Sequence, residues 1–125
     1  MNLLLDTHVL IWALENNPCL SAAARDAIVC GDNLVFISSV SVWEIGIKVS
    51  LGKLNVPDNL QEELEKHRFD PLNITHNHAE LAAQLPLIHK DPFDRMLIAQ
   101  SKNENLTLVT RDEQICKYDV NILLA

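Results

Sequence analysis

The 125-residue sequence predicts an α/β protein in which helices cover both faces of a short, mainly parallel central sheet. Three observations lead there. The strand-like segments are short continuous apolar runs rather than alternating ones, as in strands buried on both faces. Segments with helical spacing lie between them, which is the order of repeated strand–helix units. There is no internal repeat, low-complexity tract or linker, so residues 1–125 are expected to form one domain, large enough to bury a core without disulfides or structural metal.

The chain opens with the apolar run Asn2-Leu3-Leu4-Leu5, a buried strand, and continues into a helix over 7–15 carrying Val9, Leu10, Trp12, Ala13 and Leu14 at helical spacing. Asn16-Asn17-Pro18 ends it. Ser21 is placed to cap a second helix over 22–30, closed by Gly31-Asp32-Asn33, and Leu34-Val35-Phe36-Ile37 is the second strand. Residues 40–49 are apolar nearly all round, so a helix here should be largely buried. A connector over 51–57 leads to Asp58, the expected cap of an acidic helix reaching Lys66. Residues 70–74 form a short third strand weakened by Pro71. A helix over 75–85 stops at Pro86, and Asp91-Pro92 joins an N-cap to proline at the first helical position of a helix reaching about Asn103. Residues 106–109 and 120–124 complete the strands, with a short helix opening at Asp112 between them.

Composition narrows the classes. A hydrophobic content of 48%, 22% charged residues and a mean hydropathy of +0.06 describe an ordinary soluble globule. Cys19, Cys30 and Cys116 are odd in number and lack CxxC spacing, and Asp6 interrupts the N-terminal apolar run, so neither a disulfide framework nor a signal peptide is expected. These features point to a reducing cytoplasm. No apolar stretch approaches the roughly 20 residues of a membrane span. The net charge of −7 speaks against nucleic-acid binding only if the acids are not metal ligands; two divalent cations would bring it to −3 and place positive charge at the site itself.

Four carboxylates stand where apolar runs end or helices begin: Asp6, Glu44, Asp94 and Asp112. In a parallel sheet the carboxyl ends of strands bring distant segments together, and acids meeting there can hold Mg²⁺ or Mn²⁺. Each has a plainer role. Asp6 and Asp112 could cap the helices that follow them, and Asp91 is well explained as the cap of the helix that presents Asp94. Glu44 lies in a stretch with scarcely any solvent-facing stripe, where an unpaired carboxylate costs several kcal/mol; its simple partner is Lys48 one turn on, and a metal would offset the cost better. His8, His67, His76, His78 and His89 show no zinc-binding spacing. With three glycines in all, no Gly-rich phosphate loop exists.

The segments LLLDTHVLIWAL, SSVSVWEIGIKVSLGKL, HKDPFDRMLIAQS and LTLVTRD, in this order and spacing, resemble PIN-domain ribonucleases, particularly VapC-type toxins of toxin–antitoxin pairs. The resemblance spans essentially the whole chain. It implies a three-layer α/β/α fold, Mg²⁺ or Mn²⁺ as cofactor, endonucleolytic cleavage of RNA to 5′-phosphate and 3′-hydroxyl ends, a small antitoxin partner and a homodimer. It places the catalytic, metal-binding acids at Asp6, Glu44, Asp94 and Asp112, with Thr110 and Asp91 supporting them.

Arg95, Arg111, Lys48 and Lys90 flank the acids and are candidates to hold the RNA backbone, as is His89. Aromatic residues make up only 5% of the chain, and Trp12 and Trp43 sit in helical apolar stripes, so recognition is expected to rely on shape and backbone. Two other classes fit the sequence less well. A non-catalytic PIN-like RNA- or protein-binding module would be expected to lack the acids. A phosphate-accepting receiver domain would need paired acids after the first strand and a late Lys, and neither is present.

Overall fold

All five strands lie in one sheet, and each of the four pairings between them is parallel. The computed structural model describes residues 1–125. In chain order the elements are β1 (Asn2–Leu5), α1 (Thr7–Glu15), α2 (Ala22–Val29), β2 (Leu34–Ser38), α3 (Ser39–Ser50), α4 (Leu60–Lys66), β3 (Asp70–Leu72), α5 (His76–Gln84), α6 (Pro92–Glu104), β4 (Thr107–Thr110) and β5 (Ile122–Leu124). The strand order is β3-β2-β1-β4-β5. From β1 the chain therefore builds outward in one direction to β3, then crosses back to add β4 and β5 on the other side. The reversal point lies between β1 and β4, and the crevice beyond the carboxyl ends of strands at such a point is where open α/β sheets bind ligands.

The strands are continuously apolar because each face meets its own helical layer. Leu3 and Leu5 of β1, Val35 and Ile37 of β2 and Val109 of β4 pack on one side with Val9, Leu10 and Ala24 of α1 and α2. Leu4 and Leu108 turn to the other side, against Leu97 and Ile98 of α6. The α3 helix serves both layers, with Ile45 in the first and Val40 in the second. This is the three-layer α/β/α arrangement the sequence predicts. No helix is long and apolar enough to cross a membrane.

Local departures from the sequence reading have local causes. Asp58 does not cap α4; Asn59 holds that position and makes no side-chain cap hydrogen bond. The third strand stops at Leu72, and Pro71 is tolerated because β3 is an edge strand whose missing N–H costs no ladder bond on its open side. The expected helix after Asp112 is a single 3₁₀ turn, Ile115–Lys117. At α5, Thr75 accepts from the His78 amide while His78 Nδ1 accepts from the Thr75 amide, a reciprocal cap with histidine in the usual Glu or Gln place.

Candidate metal centre

Asp6 leaves β1 directly into α1. Its amide donates to Val109 of β4 (3.1 Å), which anchors the residue between the two central strands. Its Oδ1 accepts from the Val9 amide (2.8 Å), so Asp6 does cap α1. The other oxygen, Oδ2, accepts a short hydrogen bond from the Thr110 hydroxyl at the end of β4. Asp6 is only 6% exposed, and burial raises its pKa above the ordinary carboxylate value; the Thr110 and Val9 hydrogen bonds and His8 act against this rise, and Asp112 adds to it.

Glu44 reaches the same cleft from α3 and is buried. Lys48, the partner the sequence offers, is present, and a second partner joins it, so that both carboxylate oxygens are engaged. Oε1 accepts from Thr7 Oγ1 at 2.6 Å, and Oε2 pairs with Lys48 Nζ at 2.8 Å. Thr7 lies within hydrogen-bond distance of Ser41 as well, at 3.1 Å. The Thr7 hydroxyl has a single proton, so donating it to Glu44 leaves Ser41 as the donor in that second bond.

Asp94 sits in the first turn of α6, and Asp91 caps that helix by accepting from the amides of Phe93 (2.8 Å) and Asp94 (3.2 Å) through one oxygen. His89 Nε2 lies 2.8 Å from Asp94 Oδ2. Burial lifts the pKa of Asp94 to about 6; the His89 hydrogen bond opposes the rise, and the charges of Asp91 and Asp112 add to it. Asp112 Oδ1 accepts from the amides of Gln114 (2.8 Å) and Ile115 (3.1 Å), and its own amide donates to Thr110 Oγ1 (3.1 Å). One ligand atom from each of His89, Asp94 and Asp112 lies within 4.8 Å of the others.

Asp6, Glu44, Asp91, Asp94 and Asp112 thus line one cleft of about 350 Å³, drawn from segments as far apart in sequence as the ends of β1 and β4. A hollow of about 420 Å³ between α1, α2 and β2 is lined mainly by apolar residues and carries no carboxylate. The acidic cleft, unlike that hollow, gathers carboxylates. Its donors are mostly hard oxygens, and burial and mutual repulsion disfavour the ionised forms of Asp6 and Asp94. A divalent cation offsets both costs at once, so the residues present fit such an ion.

A model of the PIN domain matches residues 3–121. The chain belongs to the PIN-domain family. Among curated proteins, none matches it significantly in sequence. Its fold is similar to that of a chain in VapBC2 from Rickettsia felis bound to a promoter DNA fragment, with TM-score 0.75 and 16% identity over 100% of this chain and 99% of that one. A chain of DNA-bound VapBC from Salmonella typhimurium gives TM-score 0.68 and 19% identity, covering 99% and 98%. One in FitAcB from Neisseria gonorrhoeae gives 0.61 and 23%, covering 97% and 96%. At these identities the likeness is one of fold.

The flanking cations of this PIN domain divide into two groups. Lys48 and Arg111 line the cleft; Lys90 and Arg95 do not. Arg95 is withdrawn from any substrate role by its contacts, since its guanidinium donates to the carbonyls of Ala82 (2.8 Å), Leu85 (3.0 Å), Pro86 (3.0 Å) and His89 (3.2 Å). It clamps the loop between α5 and α6. Tyr118 helps, accepting from the His89 amide (2.9 Å) and donating to the Pro86 carbonyl (2.7 Å), and the clamp sets His89 beside Asp94. Sequence reasoning missed Thr7, Ser41 and the His89–Asp94 pair. Only the five-residue spacing of the last pair could have hinted at it. Both tryptophans also depart from expectation, for Trp43 is 63% exposed, edge-on to Phe93 at 5.3 Å, and Trp12 lines the cleft.

Proposed function

We propose that this PIN domain is a Mg²⁺- or Mn²⁺-dependent endoribonuclease acting in the cytoplasm as the toxin of a toxin–antitoxin pair. The observation that carries the reading is the convergence of Asp6, Glu44, Asp94 and Asp112 on one cleft at the point where the sheet reverses direction. In this reading Asp6 and Asp94 are the core ligands, and Glu44 and Asp112 complete the set directly or through water. Thr110 orients Asp6, and His89 orients Asp94 or joins it as a ligand. A divalent cation bound there supplies Lewis acidity to activate water and neutralise the phosphate. No side-chain nucleophile is then needed. The water oxygen bonds to phosphorus as the bond to the 3′ oxygen breaks, leaving 5′-phosphate and 3′-hydroxyl ends, and Lys48 offsets charge on the RNA backbone beside the site.

The toxin role is supported by family membership together with the fold likeness to chains of VapBC and FitAB complexes. A small antitoxin and a second copy of the chain are the proposed partners. The exposed Trp43 of α3 and Leu51, the residue that follows this helix, give such contacts an apolar surface. The test is incubation of purified protein with structured and unstructured RNA in Mg²⁺, Mn²⁺ or EDTA. Cleavage is expected only with a divalent ion, and Asp6→Asn or Asp94→Asn should lower it by at least about a hundredfold, more than the loss typical of residues that merely support ligands. Wild-type rates in both variants would sink the metal-site assignment.

A further inference from the structure

His89 stands in the loop between α5 and α6, but its backbone is held on both sides. Its amide donates to Tyr118 Oη at 2.9 Å, and its carbonyl accepts from Arg95 Nη1 at 3.2 Å. The side chain is only 19% exposed and turns into the acidic cleft, where Nε2 lies 2.8 Å from Asp94 Oδ2. That hydrogen bond alone would make His89 a support for Asp94. A group that only supports a ligand stands outside the ring of donors, behind the ligand it orients. His89 instead faces the same opening as Asp94 and Asp112, and donor atoms of all three lie within 4.8 Å of one another.

Around an octahedral ion with bonds of about 2.1 Å, neighbouring donors stand about 3 Å apart and opposite ones about 4.2 Å apart. The 2.8 Å between Nε2 and Oδ2 is the spacing of neighbouring corners, and small side-chain rotations bring the Asp112 oxygen to a third. The ring can also present a lone pair. Its Nδ1 has no hydrogen bond to the protein and is not sealed from solvent, so Nδ1 can carry the proton and donate it to water while Nε2 faces the ion. We infer that His89 ligates the ion directly through Nε2, and that this nitrogen makes the centre selective for a divalent transition ion such as Mn²⁺ over Mg²⁺. The inference rests on the metal-dependent reading of the cleft and adds the class of ion it takes. The four acids by themselves offer hard oxygens, which suit both ions. Mg²⁺ prefers oxygen and gives up water reluctantly, whereas transition ions accept imidazole beside carboxylates. Arg95 and Tyr118 do not line the cleft and act as positioning residues, setting where the nitrogen stands.

Mn²⁺ is paramagnetic, so its binding is read without turnover. Loss of the free-ion signal in electron paramagnetic resonance during a titration gives Kd, and back-titration with Mg²⁺ gives the preference. Affinity alone does not separate a ligand from a support, because losing a support also weakens metal binding by about 10–100-fold. Nitrogen coupling does. Strong ¹⁴N modulation of the Mn²⁺ electron spin echo is expected in the wild type and should vanish in His89→Gln, which keeps an N–H for Asp94 and offers an amide oxygen in place of the nitrogen. The preference for Mn²⁺ over Mg²⁺ should fall in this variant by about tenfold, the lower end of what a change around a bound metal costs. His8 is the one other histidine lining the cleft, and His8→Gln should keep the modulation. Mn²⁺ bound without nitrogen coupling, coupling that disappears with His8 instead, or an unchanged preference in His89→Gln overturns the inference and leaves the nuclease reading standing. Failure of either ion to bind, with RNA left intact in every metal, overturns both. If His89→Gln does not fold, the spectra of the wild type and His8→Gln decide by themselves, because no third histidine reaches the cleft.

Discussion

Asp6 shows how one side chain can cap a helix and serve a site. Its Oδ1 closes the first turn of α1 and its Oδ2 takes the Thr110 hydroxyl, so both oxygens are fixed in direction before any ion binds. Capping and ligation are usually weighed as alternatives, but a carboxylate oxygen has two lone pairs and can satisfy an amide and a cation together. Thr110 is therefore the residue whose removal separates orientation from ligation. Thr110→Val keeps the shape and deletes the donor, which leaves a buried carboxylate oxygen without its hydrogen bond and lifts the Asp6 pKa further. Cleavage should fall by about 10–100-fold, as is usual when a group supporting a metal ligand is lost. The diagnostic is the metal titration: the Mg²⁺ or Mn²⁺ concentration for half-maximal rate should rise, and an unchanged midpoint would mean that Thr110 does not act through Asp6.

At the scale of elements, α6 carries the clearest division of labour. Asp91 accepts two amides through one oxygen and Asp94 presents its carboxylate to the cleft from the first turn that Asp91 caps. Asp91→Ser should preserve the cap and most of the cleavage rate, while Asp91→Ala should cost about 1 kcal/mol of stability. Thermal unfolding and single-turnover cleavage measured on both variants decide the matter. If Asp91→Ser is stable yet as inactive as Asp94→Asn, Asp91 is a ligand. This helix was legible in the sequence because Asp-Pro at its start is a local signal, and so were β1, β2 and β4, whose apolar runs report burial on both faces. Short elements with competing local cues were harder to read. Asp58 and Asn59 are both residue types that cap helices, and nothing local says that Asn59 takes the position and leaves it without a side-chain hydrogen bond. The site was legible as a set of acids but not as a set of contacts. Thr7 meets Glu44 across 37 residues, and Arg95 folds back on the loop that precedes it; periodicity carries no information on either. Nor does the apolar stripe of α1 reveal that Trp12 projects into an ionic cleft.

For the molecule as a whole, the proposed function together with the charge of −7 and the clustering of acids makes folding and metal binding one problem. The metal-free protein buries Asp94 with its pKa raised to about 6 from 3.8. A carboxyl shifted upward favours folding when protonated, so its contribution is complete below the unfolded value of 3.8 and is lost as pH rises through about 6. One pKa unit corresponds to about 1.4 kcal/mol, and because Asp94 remains partly open to solvent the penalty at pH 7 is on the order of 1–2 kcal/mol. Metal-free Asp94→Asn should therefore melt higher than the metal-free wild type at pH 7, and the difference should shrink by pH 5. Adding metal reverses the order at pH 7. An ion at 100 times its Kd stabilises the wild type by about 2.7 kcal/mol, which for a domain of this size raises Tm by about 10 °C. The variant, lacking a ligand, should gain little. As the pH falls below 6 protons compete with the ion for Asp94, and the metal-induced rise should diminish. Melting curves at pH 5, 6, 7 and 8, with and without Mn²⁺, test all of this in one series. A rise in Tm that is the same at every pH, or the same in Asp94→Asn as in the wild type, would show that the ion binds somewhere other than this cleft.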